Sequence, residues 1–224
     1  MNRTLGVIAL IWVSLLQLIA NAQSFDYLPK DSTDIVIHHA FYSLAYSEAF
    51  EQPKWVAYKL EPQMLFKVVK RKNNFREDTL VITGSATYDD YNSAPLYDAG
   101  HMLPSRDMQF SFESMDETFY MSNMSPQHKQ LNRKRWAHLE SLVRSMVERN
   151  GELYIITGPV ISDTCESIGI ENQVSVPDYF YKIVLQHDSI SSKCIAFLLP
   201  NENCRLKLNE YVVSVDSLEL ITGL

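Results

Sequence analysis

One stretch of this chain has a helical period that nothing else in it matches. Between residues 132 and 150 the apolar side chains Trp136, Leu139, Val143, Met146 and Val147 recur at i, i+3, i+7, i+10 and i+11, a single stripe along an α-helix. Asn150-Gly151 supplies its stop. The segments around it are short, apolar and β-prone: residues 53–60, 65–69 and 79–83 before it, and 153–157, 179–185 and 195–199 after it. A lone long helix among many strands buries its stripe by lying on a sheet. The pattern therefore predicts an α+β fold with one central sheet.

The remaining segments read less sharply. Residues 23–39 form a loose leader, and residues 36–46 pass from a loop into a strand or short helix. The Tyr-rich stretch 85–97 reads as a loop. Residues 100–103 read as a short strand stopped by Pro104. Ser125-Pro126 has the form of a helix cap followed by a first-turn proline. Lys70-Arg71-Lys72 reads as a solvated turn, with substrate steering as the alternative. Residues 211–220 form a last amphipathic element.

Residues 1–22 read as a signal peptide. Arg3 precedes an almost wholly apolar run over residues 5–19, and Ala20-Asn21-Ala22 has the small-x-small form of a cleavage site. The run is shorter than the roughly 20 residues a spanning helix needs, and no later stretch is long and apolar enough to span. Residues 23–224 then form one domain, exported to a periplasm or secreted. Removing a leader that carries Arg3 and no acid takes the formal net charge from −7 to −8. Such a balance argues against a DNA-wrapping protein but leaves room for an enzyme that needs only local basic groups. Cys165, Cys194 and Cys204 in an oxidising compartment predict one disulfide and one spare thiol, with pairing open. Their spacing matches no zinc site.

The chemistry concentrates in Tyr97-Asp98-Ala99-Gly100-His101-Met102-Leu103-Pro104, in Asn123-Met124-Ser125-Pro126-Gln127, and in Asn132 with Glu140 on the helix. Hydrolysing a phosphodiester takes a base for water, a cation for the phosphate charge and help for the leaving oxygen. Histidine suits the first task, its ordinary pKa of about 6.5 lying near working pH. Gly100 beside His101 leaves space for a substrate backbone. Asn132 reads equally as a helix cap or as an oxygen ligand for a hard cation. Glu140 lies within about 80° of Asn132 on a helical wheel, so both can face one site. Its alternative is an exposed acid paired with Arg144. Trp136 reads as core. Lys129, Arg133, Lys134 and Arg135 cluster beside Asn132, either tracking a phosphate backbone or forming an ordinary solvated face.

Asp98-x-Gly100-His101-Met102-x-Pro104, Asn123-x-x-Pro126-Gln127, Asn132-x-x-x-Trp136-x-x-Leu139-Glu140 and Thr157-Gly158-Pro159 together resemble the DNA/RNA non-specific endonuclease family, of the ββα-metal (His-Me finger) superfamily. The resemblance runs from about residue 40 to 223. It implies a mainly antiparallel central sheet, a ββα-metal motif and a long helix after the metal-binding asparagine. It further implies His101 as general base, Asn132 as the one direct protein ligand of Mg²⁺ (with Mn²⁺ as a substitute), Glu140 as the acid that holds metal-bound water, and Asn123 as a support of the site. Arg144 falls where the family can place a phosphate-binding arginine. The implied activity is cleavage of DNA and RNA to 5′-phosphate ends. Homodimers occur in the family, but the sequence carries no interface signature.

Two departures stand out. Ala99 occupies the place of the motif arginine that is expected to contact the scissile phosphate, so another cation must substitute, with Arg106 and Arg133 as candidates. The family also continues beyond the position of Leu224, which would weaken packing rather than chemistry. Ala99 supports an alternative function, a weakened or inactive nucleic-acid-binding protein on the same fold. A third reading, an exported structural or adhesion domain, leaves the motif unexplained.

Overall fold

The computed structural model describes residues 25–30, 35–162, 164–188 and 190–224. The expected signal peptide over residues 1–22 and parts of the expected leader lie outside the described residues. The strands are β1 (Val36–His38), β2 (Ser43–Ser47), β3 (Gln52–Leu60), β4 (Tyr97–His101), β5 (Met124–His128), β6 (Leu153–Val160), β7 (Ser167–Ile168), β8 (Val174–Ser175), β9 (Tyr179–His187), β10 (Ser192–Pro200) and β11 (Val212–Val213). Seven of them make one sheet in the order β1-β2-β3-β6-β9-β10-β11, and every neighbouring pair is antiparallel. β4 and β5 form a separate two-stranded ribbon, as do β7 and β8. The helices are α1 (Tyr88–Asn92), α2 (Phe112–Glu117), α3 (Ala137–Asn150) and α4 (Val215–Thr222).

β3 shows how alternation builds two layers. Val56, Tyr58 and Leu60 belong to the buried cluster that takes Trp136, Leu139, Val143 and Val147 from the long helix, together with Ile155, Phe180 and Val184. Trp55 and Ala57 belong to a second cluster with Tyr181, Ala196 and Leu218 of α4. The sheet is therefore packed on both sides, and the predicted stripe faces it. Leu139, Val143 and Val147 are buried, which stabilises by about 1.5–3 kcal/mol each. Gly151 ends α3 with φ 86°, a left-handed value that favours glycine, and its N–H caps Val147 O.

Several local expectations fail for identifiable reasons. Residues 65–69 are not a strand. A 3₁₀ turn occupies Pro62–Leu65, and the Val68 and Val69 amides are spent on Gln109 O. Residues 79–83 are turns rather than a strand: Val81 N bonds Asp78 O, Gly84 N bonds Val81 O, and Ile82 is 95% exposed. Ser125-Pro126 does not start a helix but lies inside β5, where Pro126 stands opposite Ala99 and the Ser125 hydroxyl donates to Gln52 Oε1 at 2.5 Å. The short strand before Pro104 ends at His101 rather than Leu103, and the Tyr-rich loop contains α1. No disulfide forms: Cys165, Cys194 and Cys204 are all free. Cys204 is buried with its thiol on Pro200 O, whereas Cys194 is exposed on β10, so the two point to different environments.

Candidate active site

The β4–β5 ribbon and the turn before α3 bring the motif residues together. His101 is the last residue of β4 and pairs with Met124. Asn123 just before it is buried and does not reach the cavity. Its side chain accepts from Leu103 N (2.8 Å) and donates to Leu103 O (3.0 Å) and Thr118 O (2.9 Å), and its carbonyl takes Met102 N. Asn123 therefore clamps the chain directly after His101. Gly100 has a different reason from the expected one. A Cβ there would meet Gln127 Cβ and Oε1 at 2.5 Å, so the glycine serves the approach of β5 rather than that of a substrate.

Asn132 sits in a π-helical turn, Leu131–Trp136, that leads into α3. Such turns recur at functional sites. This one removes the basis for the wheel angle drawn for an uninterrupted α-helix, yet Asn132 and Glu140 line the same cleft. That cleft, about 730 Å³, also takes in His101, Arg71, Tyr88 and Ala99. The Asn132 amide donates to Asp98 Oδ2 at 2.9 Å. A carboxylate only accepts, so this bond fixes the amide, and its carbonyl oxygen is the group left to offer. Asp98 is held in turn by Arg133, through Nε at 2.9 Å and Nη2 at 2.7 Å, and these contacts keep the Asp98 carboxyl below its ordinary value against the opposing effect of burial.

The His101 ring is set edge-to-face against Phe119 (5.0 Å, 88°) and Phe75 (5.7 Å, 62°). Its Nε2 is buried without a hydrogen-bond partner. Burial, helped by the nearby Arg71 charge, pushes the imidazole down to about 3, so it is neutral at neutral pH. Beneath the cleft lies a charged floor. Asp107, fully buried, pairs with Arg144 at 2.7 Å, and the Tyr58 hydroxyl stands 3.4 Å from its other oxygen. Lys182 is fully buried, with its ammonium 4.8 Å from the centroid of Trp136 and no hydrogen bond. Burial pushes the Glu140 carboxyl up, with Asp107 adding to the effect and Lys182, Arg144 and Arg71 opposing it.

The basic residues divide clearly. Arg144, expected to bind phosphate, is committed to Asp107 and does not line the cleft; the alternative Glu140–Arg144 pair is absent among the described contacts. Arg133 is committed to Asp98. Arg106 lines the cleft and donates both Nη atoms to Leu65 O at 3.3 Å, and Lys129 donates to Pro95 O. Of the remaining cluster, Arg135 donates to Arg205 O, and neither it nor Lys134 lines the cleft. Arg71 lies over the Phe119 ring at 5.2 Å and bonds only the neutral Asn73, through Nε at 2.8 Å, with no ion pair among the described residues. In the sequence Lys70-Arg71-Lys72 reads first as a solvated turn, with substrate steering as the alternative. Nothing in the sequence singles Arg71 out, because the packing of nearby Phe75 on His101 is made only in the fold.

Comparison with known proteins shows the family and the fold. The model of the DNA/RNA non-specific endonuclease family matches residues 23–224. The mitochondrial nuclease of Saccharomyces cerevisiae is 33% identical, with 80% of this chain and 61% of that protein covered. The mitochondrial nuclease EXOG of Xenopus laevis is 32% identical, covering 84% and 56%. A nuclease of Nostoc sp. is 35% identical, covering 81% and 69%. The chain thus spans only 61% and 56% of the yeast and frog proteins. A solved structure described as the EndoG/EndoGI complex superposes with a TM-score of 0.78 at 29% identity, over 86% of this chain and 85% of that one.

Proposed function

The chain belongs to the DNA/RNA non-specific endonuclease family, and from that premise we propose that it is an exported, Mg²⁺-dependent endonuclease that hydrolyses DNA and RNA to 5′-phosphate ends. The observation that carries the proposal is the convergence of His101, Asn132 and Glu140 on one cleft. Export rests on the apolar run at residues 5–19 and the Ala20-Asn21-Ala22 site. No helix among the described residues is long and apolar enough to cross a membrane.

The donor set fits a hard cation. Among the described residues no group of three or more His, Cys, Asp or Glu could cage a metal. A cation that keeps most of its water needs no cage. Asn132 would hold Mg²⁺ through its carbonyl oxygen, oriented by Asp98, with Glu140 accepting hydrogen bonds from the ion's hydration shell. When bound, the cation takes up charge developing on the phosphate and on the leaving 3′-oxygen.

The protein's own share begins at His101. The neutral ring takes a proton from water as the water oxygen bonds to phosphorus. The bond from phosphorus to the 3′-oxygen breaks, leaving a 5′-phosphate, and the departing 3′-oxygen takes a proton from a second water in the cleft to become a 3′-hydroxyl. A ring held near a pKa of 3 in the free protein is a poor acceptor, but phosphate anions beside it raise its basicity. Burial and the Arg71 charge keep the ring neutral before reaction, and the phosphate charge stabilises the protonated ring that forms as the water proton is taken. Contacts to sugar and phosphate rather than base edges account for the lack of specificity.

Arg71 takes the place of the missing motif arginine. Arg71, Arg106 and Lys129 are the cleft cations with no ion pair among the described residues, and of the three Arg71 is the one whose charge reaches the His101 ring. Arg71→Ala is expected to lower kcat/KM roughly ten- to more than a hundredfold, the loss of a charge-assisted contact of about 1.5–3 kcal/mol. Arg71→Lys should keep part of the rate. Unchanged cleavage by the alanine variant would return the role to Arg106.

The family-level activity itself is tested by incubating supercoiled plasmid and RNA with the purified protein in Mg²⁺, in Mn²⁺ and in EDTA. Cleavage that EDTA abolishes is the expected result. Salt-dependent binding without cleavage in either metal would favour the binding-only alternative that Ala99 motivates.

A further inference from the structure

The Tyr-rich segment before the motif contains three tyrosines on the cleft wall, and two of them are spent inside the protein. Tyr91 is buried in the small cluster with Ala86 and Met121, and the Tyr97 hydroxyl donates to Glu166 at 2.7 Å. Tyr88 is neither. It is 45% exposed, and its ring stacks on Phe75 at 4.5 Å and 19°. Phe75 in turn packs on His101. The rings therefore run outward from the base in the order His101, Phe75, Tyr88, along the wall that also carries Arg71.

The support under Tyr88 is rigid. Thr87 caps α1, with its amide and hydroxyl both bonded to Asp90 Oδ2 at 2.9 Å. Asp90 is buried and is also bonded by the Asn172 side chain at 2.9 Å. A planar ring that is pre-oriented, backed by a second ring and open on the cleft is suited to receive another planar, polarizable group.

Resting on the nuclease reading above, we infer that Tyr88, backed by Phe75, is a stacking platform for a nucleobase next to the scissile phosphate, so that the enzyme prefers unpaired or frayed strands. In a duplex both faces of a base are covered by its neighbours. Only a splayed base can lay a face on the tyrosine ring, and such stacking tolerates any base, consistent with a cleft that reads no sequence. Arg71 beside it would hold the phosphate while the base turns aside.

The test compares wild type with Tyr88→Leu and Tyr88→Phe on a single-stranded oligonucleotide and on the same sequence as a duplex, in Mg²⁺. The ratio of single-stranded to duplex kcat/KM is expected to fall about tenfold in the leucine variant, mainly through KM, and to stay within about twofold of wild type in the phenylalanine variant. A single strand carrying 2-aminopurine, mixed with each protein in EDTA, should be quenched by wild type and Tyr88→Phe and not by Tyr88→Leu. An unchanged ratio in the leucine variant, or an equal fall in the phenylalanine variant, overturns the platform. If the wild type cleaves neither substrate, it is the nuclease reading that fails, and the quenching measurement still decides whether Tyr88 stacks on a base.

Discussion

His101→Ala is expected to lower plasmid cleavage in Mg²⁺ by at least about 10²–10⁴-fold, the share that a positioned acid–base group contributes. The protein around it should stay folded. The ring stands at the end of a ribbon whose geometry is held by Asn123 and by the β4–β5 pairing, neither of which uses the imidazole. Removal of the histidine also has a signed effect on acid stability. The folded pKa of about 3 lies below the ordinary value of 6.5. The unfolded chain therefore binds the proton more readily between those limits, and this group's contribution is present above about pH 6.5 and lost as pH falls toward 3. His101→Ala removes that loss, so the variant should gain stability relative to wild type on acidification, read as the urea midpoint. An NMR titration should likewise find the His101 ring neutral at about pH 5, where an ordinary histidine is protonated. Near-normal cleavage by a folded His101→Ala protein would falsify the proposed mechanism.

Much of this was legible in the sequence because function and fold both impose periods. The stripe through Trp136, Leu139, Val143 and Val147 identified the long helix and its buried face. The β-prone runs after it became β6, β9 and β10. His101, Asn132 and Glu140 were legible only as a set. Each alone has an ordinary reading as core, cap or surface residue, and the intervals between them carried the signal. What stayed hidden depended on contacts made across the fold. β-branched residues at 79–83 look like a strand, but Asp78 closes a turn there by accepting from Val81 N and Leu80 N. Ser125-Pro126 looks like a helix start. Its surroundings make it a strand: Asn201 ties this segment down by donating to Pro126 O and accepting from His128 N. The reach of Arg71 into the cleft and the coupling of Asp107 with Arg144 link residues far apart in sequence, and no local pattern announces either one.

Asp107→Ala is expected to destabilise the fold by about 3–5 kcal/mol, the cost of breaking a buried ion pair and stranding its partner. That is a large fraction of the roughly 5–15 kcal/mol that holds a typical domain together. Asp107 is fully buried and meets the Arg144 guanidinium at 2.7 Å. Without it, two interior cations, Arg144 and Lys182, would share the single acid Glu140. Lys182 cannot turn to solvent, because it lies on the inner face of β9 against Trp136. The effect should appear as a lower urea midpoint at an unchanged slope. The pair itself need not be a strong net stabiliser, since burial holds the Asp107 carboxyl above its usual range despite Arg144. A double variant, Asp107→Leu with Arg144→Met, removes the stranded charge and should therefore recover a good part of the loss. A cost under about 1 kcal/mol for Asp107→Ala alone would mean that Glu140 offsets Arg144 while Lys182, its pKa already lowered to about 8 by burial, gives up its proton.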